Sequence, residues 1–439
     1  MTECYQEPMK ISRLKGRNIE AEFSGGDITS DGGVLLLKEI DQKMSLCHQV
    51  AKVFKDPRDP SRITHELLSM VRQRIFGIAL AYEDLNDHDT LRKDPAMQTA
   101  TGCLNDLASP STLCRLEQWA DRKAAIDLHQ VLFNQFVSRY KTAPEEIILD
   151  FDATDDLTHG DQVGRFYHGY YRHECFLPLH VYCGHFPLVS YLRPSFMDPA
   201  KHTWAILALL VKGLRQRWPE VKIIFRGDAG FHKEKILRWC DKHNVKYIVG
   251  FGKNAALLRA AQPLLDTAES AYETTLEKQR VFGFVTYQAD SWKQSREVLI
   301  KAEHSVNGSN PRAVITNLSG EAQHLYDQAY CARGDMENRI KEIQLDLFSD
   351  RTSCHEWWPN QLRLLFSTMA YALLNALRES HLSGTRWVNA RLSTIRIKLL
   401  KVGAVILRNT RRIRFLLSSN YPYQLEFRSV LTSLKADTS

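Results

Sequence analysis

The chain has no CxxC pair, no apolar run long enough to cross a membrane, no fixed-period repeat and no low-complexity tract. Each absence removes a class. Nine cysteines, an odd number scattered from Cys4 to Cys354, argue against a disulfide framework and a structural zinc finger, and for reduced thiols. Without roughly eighteen consecutive apolar residues no membrane-spanning helix is expected. The opening stretch TECYQEPMKISRLKG lacks the apolar segment of a secretory or transit signal, and no internal period suggests a solenoid. A protein that stays in the cytosol, or meets nucleic acid there, is the expectation.

What is present is ordinary in amount and uneven in placement. The 439 residues, 44% hydrophobic and 25% charged, exceed a usual single core and suggest two or three domains. The formal net charge is only +7, yet between Thr385 and Ser439 eleven Lys or Arg face two acidic residues. Within RLSTIRIKLLKVGAVILRNTRRIRF, apolar residues interleave with basic ones at roughly helical spacing, so one face could pack while Arg411, Arg412 and Arg414 meet phosphates. A solvated basic helix, or one lying on a membrane surface, is the competing reading.

Periodicity divides the chain. GGVLLLKEIDQKM, SRITHELLSMVRQRIFGIALAY and SPSTLCRLEQWADRKAAIDLHQVLFNQFVSRY show the three-to-four-residue recurrence of helices, with a loop or short helices around Pro95. From Pro144 the pattern changes: EEIILDFDAT, LPLHVYC and FPLVSYL read as a three-stranded antiparallel meander. They are followed by a helix (HTWAILALLVKGLRQR), a strand (VKIIFRGD), a helix (FHKEKILRWCDKHN) and a strand (KYIVGFG). His173, Cys175, His180, Cys183 and His185 are metal-capable residue types, but their spacing matches no common finger and they fall on the strands. QRVFGFVTYQA, REVLIKAEHSV and PRAVITNLS then alternate as strands of an insertion.

The carboxylates fall at telling points of this order. Asp150 and Asp152 share one face of the first strand, and Asp228 ends the fourth strand, expected beside the first. In YCARGDMENRIKEIQLD, Tyr330, Arg333, Glu337, Lys341 and Gln344 recur at helical spacing. That face is a surface of ion pairs, or it brings a third acid to the other two. Three converging acids repel one another unless a cation sits among them. Hard oxygen ligands suit magnesium, with manganese as substitute, and two such ions can drive phosphoryl transfer. Arg333 and Lys341 would then face phosphates as fork and point charge. Paired acids can also run glycoside hydrolysis without metal, which the basic surroundings suit less well.

These segments together (SDGGVLLLKEID, LDFDATDDLTHGDQ, FRGDAGF and RGDMENRIKE) resemble the DDE transposases of bacterial insertion sequences, most closely the IS thirteen-eighty family related to the IS four group, over nearly the whole chain. The family's third motif places Lys where this chain has Gln344, a departure that leaves Lys341, a turn earlier, as the substitute. The resemblance implies an α/β fold with a ribonuclease H-like catalytic core and an inserted β subdomain, plus a helical N-terminal and a basic helical C-terminal region. The expected boundaries are 1–143 for DNA binding, 144–252 for the first part of the core, 253–328 for the insertion, 329–380 for the rest of the core, and 381–439 for the basic region. It implies catalytic, metal-holding acids at Asp152, Asp228 and Glu337, with Asp150 as a possible substitute first acid. Tyr330, Arg333, Lys341 and Trp292 would contact DNA, Trp292 by holding a flipped base or else by packing the insertion, and His159 and Arg226 lie near the centre. Expected partners are double-stranded DNA, as inverted repeats and target, and a second copy in a synaptic homodimer. The expected place is the cytoplasm, at the nucleoid when DNA-bound. A transposase-derived DNA-binding protein without catalysis is the alternative that Gln344 favours.

Overall fold

Ile147, Leu149 and Phe151 alternate with Ile148, Asp150 and Asp152, and the stretch Glu146–Ala153 is accordingly an extended strand with a period of two. In the computed structural model, which describes residues 8–436, this strand lies inside a nine-stranded mixed sheet. Lys222–Gly227 pairs parallel to it, and Lys246–Phe251 lies parallel beyond that. On its other side Leu179–Cys183 and then Phe186–Tyr191 run antiparallel. The meander of the first three strands is the one expected from periodicity, and the first and fourth strands lie side by side as the resemblance to a ribonuclease H-like sheet implied. The helices Thr203–Arg217 and Glu234–Lys242 connect the strands as expected.

The segment 253–328 differs from expectation. It opens with the helix Ala255–Thr275, which contains Pro263, a residue that reads as a helix breaker in sequence. Its strands Gln279–Tyr287, Arg296–Ser305 and Arg312–Thr316 form no separate sheet. They extend the central one, Arg312–Thr316 pairing antiparallel with Lys246–Phe251. The reason is a shared core: Leu299 and Val314 pack with Ile224 and Ile248 under Leu325 and Tyr326, so splitting the strands away would expose one continuous apolar layer.

The chain divides into two compact units, residues 117–375 around this sheet and residues 1–116 with 376–439. The second is mainly helical, with Val34–Met44 and Leu67–Ala79 where periodicity placed them. Pro95 opens the short helix Pro95–Thr101, its first turn capped by Asp94, which accepts from the Met97 amide at 2.8 Å. An exposed hairpin, Met9–Leu14 with Arg17–Ala21, precedes these helices. No helix among the described residues is long and apolar enough to cross a membrane.

The basic C-terminal stretch, expected as a helix, is one only over Leu392–Leu400. Beyond it, Ala404–Arg408 and Ile413–Leu417 form an antiparallel hairpin. Val405, Ile406, Ile413 and Phe415 favour strand, and Asn409 closes the turn by accepting from the amides of Arg411 and Arg412, both at 3.0 Å. Arg411, Arg412 and Arg414 are exposed on this hairpin.

Glycine decides how the two ends of the chain meet in this unit. The Gly32 amide donates to the Val402 carbonyl at 2.8 Å and that of Gly33 to Leu400 at 3.1 Å. Lys401 Nζ also lies 2.7 Å from Asp31 Oδ1. A methyl group on Gly33 would stand 2.0 Å from the Leu399 carbonyl oxygen and 2.4 Å from the Leu400 Cα. Gly33→Ala is therefore expected to cost ~1–3 kcal/mol through overpacking, read as a lowered urea midpoint. Gly403→Ala, where the added carbon meets nothing within 4 Å, is the control expected to leave the midpoint nearly unchanged.

Candidate active site

Parallel pairing of the first and fourth strands sets the site. Arg226 is in register with Asp150 and Gly227 with Phe151, so the next position, Asp228, follows beside Asp152. Asp228 caps a short turn by accepting from the Gly230 amide at 2.8 Å. Gly250, on the neighbouring strand, leaves room for this turn. A side chain there would come within 2.7 Å of both the Ala229 nitrogen and the Tyr330 hydroxyl.

Glu337 arrives from the helix Gly334–Leu347. Arg333, just before that helix, donates to Glu337 through one terminal nitrogen, while the other stands 3.8 Å from Asp152 Oδ2. One guanidinium thus gathers the first and third acids. Burial pushes the Asp152 carboxyl up to about 7; Arg333 opposes the shift, and the negative charges of Asp228 and Glu337 add to it. Asp152 therefore feels the charge of both other expected acids. Among the described residues no three His, Cys, Asp or Glu side chains converge closely enough to hold a metal. The donor chemistry is nonetheless that of a hard-cation site, three carboxylates with Arg333 standing among them as the positive charge.

The remaining expected residues have distinct places. Asp150 is held by Arg226 as a fork-shaped pair, with Nη2 to Oδ2 at 2.7 Å and a second contact from Nε. Both side chains are buried, at 3% and 8% exposure. The other arm of Arg226 donates to the Ala329 carbonyl at 2.5 Å, tying both strands to the segment that delivers Tyr330. Tyr330 is partly buried, and burial raises its hydroxyl pKa. Gln344 donates to the Asp155 carbonyl at 3.0 Å, so the departure from the family motif is engaged with the loop after the first acid. Lys341 and His159 are exposed. Trp292 is buried at 7% exposure among Phe251, Tyr287 and His232, with ring centroids 5.4–5.7 Å away. Arg411, Arg412 and Arg414 belong to the other unit.

Asp155 and Asp156, in the polar stretch after the first acid, read in sequence as solvated loop residues. Asp156 is instead buried at 1% exposure on a short strand paired with His173–Phe176, and Asp155 Oδ2 lies 2.8 Å from His173 Nε2. Tyr171 joins them, its hydroxyl pushed up to about 12 by burial and then by Asp155 and Asp152. The alternating stretch FYHGYYRHECF was the available signal for this small sheet. Of the metal-capable types on the meander, His180 is buried against the Ser190 hydroxyl at 3.1 Å, its pKa lowered to about 3 by burial and then by Arg193.

Two outcomes follow from these pairs. Because the folded protein holds the Asp152 proton up to about pH 7, against an ordinary carboxylate value near ~4 when unfolded, the stabilising contribution is full below the unfolded value. It is lost as pH rises through 7. Asp152→Asn in metal-free protein should remove this loss, so its melting temperature gains on the wild type between pH 5 and pH 8; parallel curves would contradict it. Arg226→Met, which strands the buried Asp150 charge, is expected to cost ~3–5 kcal/mol in denaturant unfolding, with much of that recovered in Arg226→Met/Asp150→Leu.

Comparison with known proteins fits this geometry. A family model described as "Transposase DDE domain group 1" matches residues 11–438. A search among curated proteins finds no match. Among solved structures, the chain is similar to a piggyBac transposase synaptic complex with hairpin DNA, at 9% sequence identity and a TM-score of 0.41, over 85% of this chain and 80% of that one. DDE transposases generally use divalent metals such as magnesium. With the family match spanning nearly its whole length, the chain belongs to the DDE transposases of group 1.

Proposed function

We propose that the protein is the transposase of a bacterial insertion sequence of the IS thirteen-eighty branch, which binds the element's terminal inverted repeats, cleaves DNA at their ends and joins the freed 3′ ends to target DNA. The observation that supports this reading is Arg333 standing between Asp152, at the end of one strand, and Glu337, on the helix that follows, with the charge of Asp228, at the end of the adjacent parallel strand, acting on Asp152. The ribonuclease H-like assignment of the core rests on its strand order. Ligands of open α/β sheets gather at strand ends of this kind.

In this reading Asp152, Asp228 and Glu337 hold two magnesium ions, replaceable by manganese. When bound, the ions supply Lewis acidity at the reacting phosphate and activate the attacking oxygen. The chain's own groups do the rest. Arg333, already in contact with two of the acids, turns its fork toward a phosphate once those acids are otherwise neutralised. Lys341 adds an exposed point charge, and Tyr330 packs against the Asp228 turn and orients the strand. Asp150 keeps Arg226 in place. Arg411, Arg412 and Arg414 present charge to DNA backbone without reading sequence. Two copies act together, because two element ends must be held at once. A DNA-binding protein without catalysis is the second reading, favoured by the engagement of Gln344 with the Asp155 carbonyl.

Labelled DNA carrying the element's ends distinguishes the two. With magnesium or manganese, the wild type is expected to nick at the element boundary. Asp152→Asn and Glu337→Gln should each lower the rate by about a hundredfold or more while still binding the DNA. Binding by the wild type without any cleavage would select the non-catalytic reading.

A further inference from the structure

Beside the acids lies a ring-rich surface that the proposed reaction leaves unused. The small sheet Asp156–Leu157, Phe166–His168 and His173–Phe176 buries Cys175 and Phe176 completely. Its outer end keeps large rings in solvent: Tyr170 is 83% exposed, Tyr167 64% and Phe166 45%, with Phe196, 64% exposed, edge-on to Phe166 at 4.7 Å. Each ring forgoes the free energy that burial would release. Phe166 and His168 share one face of their strand, and the rings continue from Phe196 and Phe166 to His168, Tyr171 and Tyr170, a grouping that marks a binding surface rather than scattered exposure.

This surface runs inward to the site. Tyr170 meets Tyr171 edge-on at 5.1 Å, Tyr171 stacks on His173 at 6.0 Å, and His173 reaches Asp155 at 2.8 Å, just beyond Asp152. Arg165 is occupied by Glu174 and Asp161, whereas Arg172 stands exposed in the left-handed turn between the strands, at φ 62°. The rings are interrupted by His168, Gly169 and Arg172 and make no continuous aliphatic floor for a protein helix. Flat faces with a cation between them match bases and phosphate.

We propose that this hairpin surface binds unpaired nucleotides of a DNA strand entering the site, with bases stacking on Tyr170 and Phe166 and Arg172 meeting the backbone. The choice of DNA as ligand rests on the transposase reading; the stacking itself needs neither metal nor cleavage. Trp292, buried in its own aromatic cluster, leaves that role open for exposed rings.

The test is fluorescence anisotropy in EDTA, comparing a blunt duplex with the same duplex bearing a short single-stranded overhang. The wild type should bind the overhang more tightly. Tyr170→Ala and Phe166→Ala should each weaken overhang binding about tenfold with blunt binding unchanged, and Tyr170→Phe should keep the preference. Since Tyr170 is 83% exposed, its removal leaves the fold intact, and an unaltered melting temperature checks this. Duplex binding without any overhang preference, or a preference that survives both alanine variants, overturns this proposal alone. Loss of self-association in Tyr170→Ala, with overhang binding intact, would make the surface a contact between copies and overturn it too. Failure to bind either DNA would instead remove the transposase reading on which it rests.

Discussion

The pairing of Arg226 with Asp150 is the constraint on which the site depends. The two residues sit in register on neighbouring parallel strands, and both are buried, so the guanidinium and carboxylate must satisfy each other or pay heavily in desolvation. That requirement fixes the sliding register of the strands. A shift by one residue would break the pair and turn the opposite face of each strand toward the core. The same register, continued two residues further along, puts Asp152 and Asp228 side by side. The third arm of Arg226 holds the Ala329 carbonyl, and Glu337 follows on the helix beyond. One buried ion pair therefore sets where all three acids stand, although neither partner is one of them.

Around that pair the central sheet is wider than a minimal core requires. The added strands from Gln279 to Thr316 cover the edge that Lys246–Phe251 would otherwise leave open. They also extend the apolar floor beneath Leu325 and Tyr326. The segment leading to Arg333 is thus packed as firmly as the strands, and Tyr330 fits against a glycine where any side chain would collide. Rigidity at the third acid comes from sheet packing as much as from its own helix.

Local order was legible wherever one period dominated. Glu146–Ala153, Thr203–Arg217 and Lys222–Gly227 stand where alternation or helical recurrence placed them, and the adjacency of the first and fourth strands came from the resemblance to a ribonuclease H-like sheet. The failures have physical causes. Pro263 reads as a breaker, yet the surrounding helix accommodates it; the mixed apolar and basic run after Val402 suits either period, and Asn409 decided for a hairpin. Asp150 and Asp152 are alike in sequence, sharing a face and a residue type. The resemblance favoured Asp152, and the neighbouring strand gives the physical difference, an arginine in register for Asp150 and another acid beside Asp152. A pairing partner distant in sequence carries no local signal, and the buried place of Asp156 was hidden for the same reason.

Arg333 makes the acids intelligible without any bound ion. Three carboxylates with no compensating charge would favour protonation or separation, and Asp152, its pKa raised to about 7 by burial first and by the charges of Asp228 and Glu337 after it, is partway to the first. A guanidinium between Asp152 and Glu337 restrains that tendency while leaving Asp228 outside its direct contacts. The arrangement resembles a charge-balanced resting state: the cation needed to hold the acids together is tethered to the same helix as one of them. Any ligand cation that takes over the balancing role frees the arginine, and the nearest use for a freed guanidinium on this surface is an anion. In the proposed function, the loading of the acids and the binding of phosphate would thus be coupled through a single side chain.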